Sequence, residues 1–154
     1  MNKLIQTIIK TGILADTLDI SAALVHFYIV TRKNPLFVLQ YVASGLVGKS
    51  AFEVQAPMYL LGLLLHYCIA LIFTVFFFFI YPKVGLFHKN KWSTAALYGS
   101  FVWCVMNLVI VPLSQISAFP SKPSSIAINL VILIFCIGLP LSVAANRYYK
   151  SSRV

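Results

Sequence analysis

The chain reads as long apolar runs separated by short polar segments, with no sustained alternation of apolar and polar positions. Four runs stand out, at about 11–30, 58–81, 94–113 and 126–145. Each reaches the ~20 residues that carry an α-helix across a ~30 Å hydrocarbon core. The dyad alternation of an outer-membrane barrel is missing. The pattern therefore predicts an all-α integral membrane four-helix bundle, a single transmembrane domain over 1–154. Ahead of the first run, MNKLIQTIIK places Lys3, Gln6 and Lys10 on one helical face, which suits a prelude lying at the membrane interface.

The connection between the first two runs has a pattern of its own. Asn34 can cap a helix, Pro35 suits a first turn, and Gly45 or Gly48 can end it. A helix of about 35–46 is too short to span, so an interfacial or re-entrant helix is expected in this first outer loop, with Glu53 just beyond it. An apolar loop resting on the bilayer is the alternative.

Composition sharpens this picture. Hydrophobic residues make up 60% and charged residues 10% of the chain, against ~45–50% and ~25% in soluble domains. Lipid must therefore be the solvent for most of the surface. The net charge of +9 does not point to nucleic acid, because the basic residues flank the apolar runs singly or in small groups instead of forming a basic face with interleaved aromatics. On one side fall Lys3, Lys10, Lys83, Lys89, Lys91, Arg147, Lys150 and Arg153; on the other fall Arg32, Lys33, Lys49 and Lys122. The positive-inside rule then puts both termini in the cytoplasm, and Tyr28, Tyr81, Trp92, Tyr98, Tyr148 and Tyr149 sit where aromatic belts form. Cys68, Cys104 and Cys136 each fall in a different apolar run and read as small apolar side chains. Aspartates interrupt the first run and no small-x-small site follows, so an uncleaved first helix is expected.

Those aspartates are the chemical signal. The stretch GILADTLDIS holds two of the three carboxylates in the chain. Gly12, Asp16, Asp19, Ala23 and His26 are spaced four, three, four and three, so they share one helical stripe. Inserting each aspartate at a helix centre costs ~2.5–3.5 kcal/mol. Two carboxylates one turn apart in a low-dielectric site cannot comfortably both ionise, and they titrate as a coupled pair. No lysine or arginine lies within a run to neutralise them. Their counter-charge must be a proton, a histidine, an external cation or a basic group on another chain.

Other runs offer partners. The second carries Gly62, His66, Ala70 and Thr74 in one stripe; the third carries Gly99, Trp103, Asn107, Val111 and Ser114; the fourth offers Asn129, Cys136 and Ser142. Pro112 and Pro140 each free a carbonyl one turn earlier. Asp16, Asp19, His66 and Asn107 are thus the expected ion- or proton-binding residues, with His26, Asn129 and Glu53 in accessory positions. The bland reading of the same residues is a structural knot of interhelical hydrogen bonds. No HxxxH or ExxH pair supports a metal site. The motifs G-x-S-x-G, H-E-x-x-H and the P-loop are absent, so neither catalysis nor a cofactor is expected.

Further motifs carry a resemblance. They are Gly12 with Asp19, Ser44-Gly45-x-x-Gly48-x-x-Ala51-Phe52, Leu61-Gly62-Leu63-x-x-His66, and Tyr98-Gly99-x-x-Val102-Trp103-x-x-Met106-Asn107-Leu108 followed by Pro112-Leu113-Ser114. Through them most of the chain resembles a group of small bacterial four-span inner-membrane proteins with no known activity. Glu53-Val54 departs from the small residues that the pattern leads one to expect there. The resemblance implies a bacterial inner-membrane location and no substrate. The leading expectation is a small transport or permeation protein, homo-oligomeric or part of a larger complex, that handles a proton or small cation. The alternative is a non-transporting accessory or assembly subunit, and a membrane enzyme acting on lipid or quinone is a remoter one.

Overall fold

The computed structural model describes residues 3–116 and 123–151; Lys122 and Arg153, assigned sides above, lie outside the described residues. The helices are α1 (Lys3–Thr31), α2 (Phe37–Val47), α3 (Gln55–Ile80), α4 (Lys91–Leu113) and α5 (Pro123–Ser151). Among the described residues, all but α2 are long and apolar enough to cross a membrane.

Helix α1 begins at Lys3 and runs unbroken through the predicted prelude. Nothing in MNKLIQTIIK breaks a helix, and Leu4 and Ile8 pack against the buried core, so these turns belong to the bundle. The helix stops where Arg32 takes a left-handed backbone (φ 57), its N–H still bonded to the Tyr28 carbonyl at 2.8 Å.

The short helix between the first two runs forms over Phe37–Val47, with different punctuation. Asn34 Oδ1 accepts a bond from the Leu36 N–H at 3.0 Å, an Asx turn that leads into α2. Gly48 (φ 70) ends it, whereas Gly45 lies inside it. The Gln40 Nε2 donates to the Ala51 carbonyl at 3.1 Å and ties α2 to the 3-10 turn Gly48–Phe52. Helix α2 then lies against α3 where α3 has no side chain: a Cβ at Gly62 would stand 2.0 Å from the Leu39 carbonyl oxygen.

Helices α4 and α5 share an unusual construction. Each continues through a proline by widening into a π-helical turn, Met106–Ile110 ahead of Pro112 and Ile134–Gly138 ahead of Pro140. Proline lacks an N–H and its ring collides with the carbonyl four residues back; a wider turn removes the collision without ending the helix. The two helices interlock through glycines, Gly99 against the Ile134 backbone and Gly138 against the Ala95 carbonyl, where added Cβ atoms would stand 2.7 and 2.3 Å from their neighbours.

The tightest packing lies at the end of the bundle that holds the start of α1 and the end of α3. Phe77, Phe78, Tyr81, Phe87 and Tyr98 are all buried there, and the tilted rings of Phe77 and Tyr98 meet at 4.5 Å between centroids. The Tyr98 hydroxyl donates to the Phe73 carbonyl. Tyr149 Oη donates to the Phe78 carbonyl at 2.7 Å, and Ser142 Oγ donates to the Lys91 carbonyl at 2.9 Å. Aromatic bulk, with the hydroxyls of Tyr81, Tyr98 and Tyr149 hydrogen-bonded, fills that end around Phe77.

Candidate functional site

The stripe on α1 turns inward. Asp16 is buried (1% exposed) and the Asp19 side chain nearly so (13%). The α3 stripe faces it: Gly62, Ala70 and Thr74 are buried, and the His66 side chain is 16% exposed. Close approach of the helices makes this meeting possible, since Gly12 leaves room for Leu71 and Thr74.

His66 Nε2 stands 3.6 Å from Asp16 Oδ1 and 3.7 Å from Asp19 Oδ2. These are the ion pairs found among the described residues. Both distances exceed hydrogen-bond range, and neither Asp16 Oδ1 nor His66 Nε2 has another hydrogen-bond partner among the described residues. One imidazole nitrogen therefore serves two carboxylates without fully bonding either. A proton added to or removed from this group changes the balance of three charges at once.

An adjacent bond fixes the register. The hydroxyls of Thr17 and Tyr67 lie 2.8 Å apart. Thr17 already donates its hydrogen to the Ile13 carbonyl at 2.7 Å, so Tyr67 is the donor across the helices. Asp16 and His66 are the next residues along on each helix.

In depth the acids and the imidazole agree. Asp19 is twelve residues before the end of α1 and His66 eleven after the start of α3, so at 1.5 Å per residue both lie ~17 Å in from the end that carries α2. Asn107 is six residues from that end of α4, or ~9 Å in, and Asn129 lies six residues after Pro123, the first described residue of α5.

A cavity of about 260 Å³ joins these levels. Its polar lining consists of Asp19, His66, Tyr41, Asn107 and Asn129. Its floor is apolar and buried, formed by Ile20, Ala70, Phe73, Val102 and Ile137. Tyr41 and Asn129 are exposed and mark its mouth. Helix α2 covers one side with Val38, Tyr41 and Val42. Beyond Tyr41 lies a second, almost wholly apolar cavity of about 260 Å³, which shares Tyr41, Val42, Ile69 and Met106 with the first. Both wide turns border the site, with Met106 and Asn107 in one and Ile137 in the other. Asn107 Nδ2 donates back to the Trp103 carbonyl at 3.0 Å, which leaves its carbonyl oxygen to accept from the cavity.

Asp16, Asp19, His66, Asn107 and Asn129 are thus brought to one place. His26 and Glu53 are not. His26 lies two turns beyond Asp19 with its Nε2 buried and without a hydrogen-bond partner among the described residues, and Glu53 is exposed after the 3-10 turn. A residue that sequence reasoning missed is Tyr41, whose phenol supplies an O–H donor at the mouth. Its signal was a hydroxyl beside Gln40 on an otherwise apolar turn, Leu39–Val42. Among the described residues, no three His, Cys, Asp or Glu side chains are arranged to hold a metal ion.

No family model matches this chain, and it has no significant match among curated proteins or solved structures.

Proposed function

We propose that this chain is a multi-pass membrane protein of the bacterial inner membrane, with both termini cytoplasmic, in which Asp16, Asp19 and His66 bind a proton or small cation for transport. The observation that carries this reading is the position of His66 Nε2, 3.6 and 3.7 Å from the two carboxylates, beside a cavity lined by neither lysine nor arginine. Ionisable groups this deep in a helical bundle are costly, and they persist where protons or ions are handled.

The cavity is one-sided. Its mouth is toward the end that carries α2, and the aromatic layer around Phe77 and Tyr98 closes the other. That shape supports alternating access over an open pore. In this reading α2 is re-entrant, because its Leu39 meets α3 at Gly62, about two turns inside the helix end. Association into a homo-oligomer would complete the lateral walls. The inward position of Asp16 favours a role within the chain over the accessory-subunit reading, in which the acidic stripe meets a basic group on another protein.

The test is proton and monovalent-cation flux into proteoliposomes under an imposed potential. Flux in the wild type, lost in folded Asp16→Asn/Asp19→Asn, is the expected result. Equal flux with and without the carboxylates overturns the proposal, and so does its absence from both.

A further inference from the structure

The cavity carries more information than an inorganic ion or proton needs. A proton needs no volume, and a small inorganic ion needs oxygen donors close on all sides. Here the polar groups are few and set apart, one from each helix, with hydrocarbon between them: Asp19 and His66 sit deepest, Asn107 and Asn129 lie nearer the mouth, and Ile20, Phe73 and Ile137 floor the space. The arrangement is amphipathic in the way that small-molecule sites are, with a few placed polar groups in an apolar concavity.

Size follows by comparison. A cavity of ~150 Å³ accepts benzene, with six non-hydrogen atoms, so the 260 Å³ here accommodates roughly ten. Charge follows from the lining. No lysine or arginine is present to attract an anion. Asp19 lines the space, and Asp16 stands behind it with an unpartnered oxygen. Tyr41 and Phe73 add aromatic surface that favours a cation. The groups that titrate or carry charge around Asp19 are Asp16 on its own helix, His66 on α3, Tyr41 on α2 and the Cys136 thiol on α5.

We infer that the cavity binds a small organic monocation of roughly ten non-hydrogen atoms in all, its cationic head at Asp19 and its apolar body against Ile20, Phe73 and Ile137. This deepens the proposed function and rests on it. The organic cation and the proton are alternative occupants of the same acidic cluster, which is the condition for exchanging one for the other across a membrane.

The experiment uses the full chain in nanodiscs and radiolabelled phenyltrimethylammonium, a permanent cation of the right size, in equilibrium dialysis against empty nanodiscs. Saturable binding is expected, undisturbed by the isosteric neutral tert-butylbenzene and accompanied by proton release in weakly buffered solution. Asp19→Asn should weaken binding roughly 30-fold or more, as loss of a buried charge partner does, while Asp19→Glu retains it. Ala23→Leu, which fills part of the cavity and keeps every acid, should abolish phenyltrimethylammonium binding.

No saturable binding, with flux still dependent on the acidic pair, overturns this inference and leaves the proposed function standing. Loss of both overturns both. Binding that survives equally in Asp19→Asn and in Ala23→Leu places the probe elsewhere and also overturns it. Monodisperse elution and an unchanged melting profile establish that each variant is folded.

Discussion

Tyr67 donates a hydrogen bond to Thr17 at 2.8 Å, one residue along from His66 on one helix and from Asp16 on the other. The bond lies on the exposed side of the α1–α3 contact. It holds the two helices in the one register that sets the imidazole between the carboxylates. Tyr67→Phe removes the donor and little else. Interhelical bonds of this kind contribute on average ~0.6 kcal/mol, and up to ~1.7, so a modest loss is expected in unfolding by denaturing detergent. Flux should fall further than stability does, because the acids depend on this alignment.

Gly62→Ala separates α2 from α3. The new Cβ would stand 2.0 Å from the Leu39 carbonyl oxygen, which is backbone and cannot swing away as a side chain would. Overpacking of this kind costs about 1–3 kcal/mol. Hydrogen exchange across Phe37–Val47 should rise markedly, with α4 and α5 unchanged. Equal protection of α2 in the variant and the wild type would show that the cover does not depend on this contact.

Phe77 is fully buried among Phe78, Tyr81, Phe87 and Tyr98, between the cavity floor and the end that holds the start of α1. Phe77→Ala opens a hole in that layer. Truncations of this size cost ~3–5 kcal/mol in soluble cores. The expected phenotype in proteoliposomes is a proton leak above the wild-type flux, measured with an entrapped pH dye.

Binding of an organic cation at Asp19 should weaken as the medium is acidified, since protons compete for the same cluster. Where one proton exchanges for one cation, the apparent affinity falls about tenfold per pH unit. Asp19→Asn should flatten that slope. The slope is read from dialysis at a series of pH values, with Asp16, His66, Tyr41 and Cys136 left in place.

Much of this was legible in the residues. Long apolar runs fix four helices because lipid satisfies no backbone group, and helical spacing puts Asp16 and Asp19 on one face and His66 at the centre of another. A histidine among hydrocarbon has few companions, so its meeting with the acids was foreseeable. The reach of each helix was less so. The first ten residues look interfacial by their lysines, yet Leu4 and Ile8 bind them to the core. Tyr41 was hidden because its place depends on how a short helix folds back, which Gly62 decides from another element. His26 shared the acidic stripe but sits two turns farther along α1, so facing the same way did not bring it to the same level.

The wide turns before Pro112 and Pro140 each hold one residue more than an α-helical turn. Helices α4 and α5 therefore carry slack in length. Deleting a single residue within Met106–Ile110 or Ile134–Gly138, with Pro112 or Pro140 changed to Ala so that the tightened turn meets no proline ring, can restore a regular turn while the flanking segments keep their faces. The same deletion between Lys91 and Val105 turns everything beyond it by about 100° and carries Asn107 away from the cavity. Tolerance to chain shortening should thus be confined to two short windows, both bordering the site.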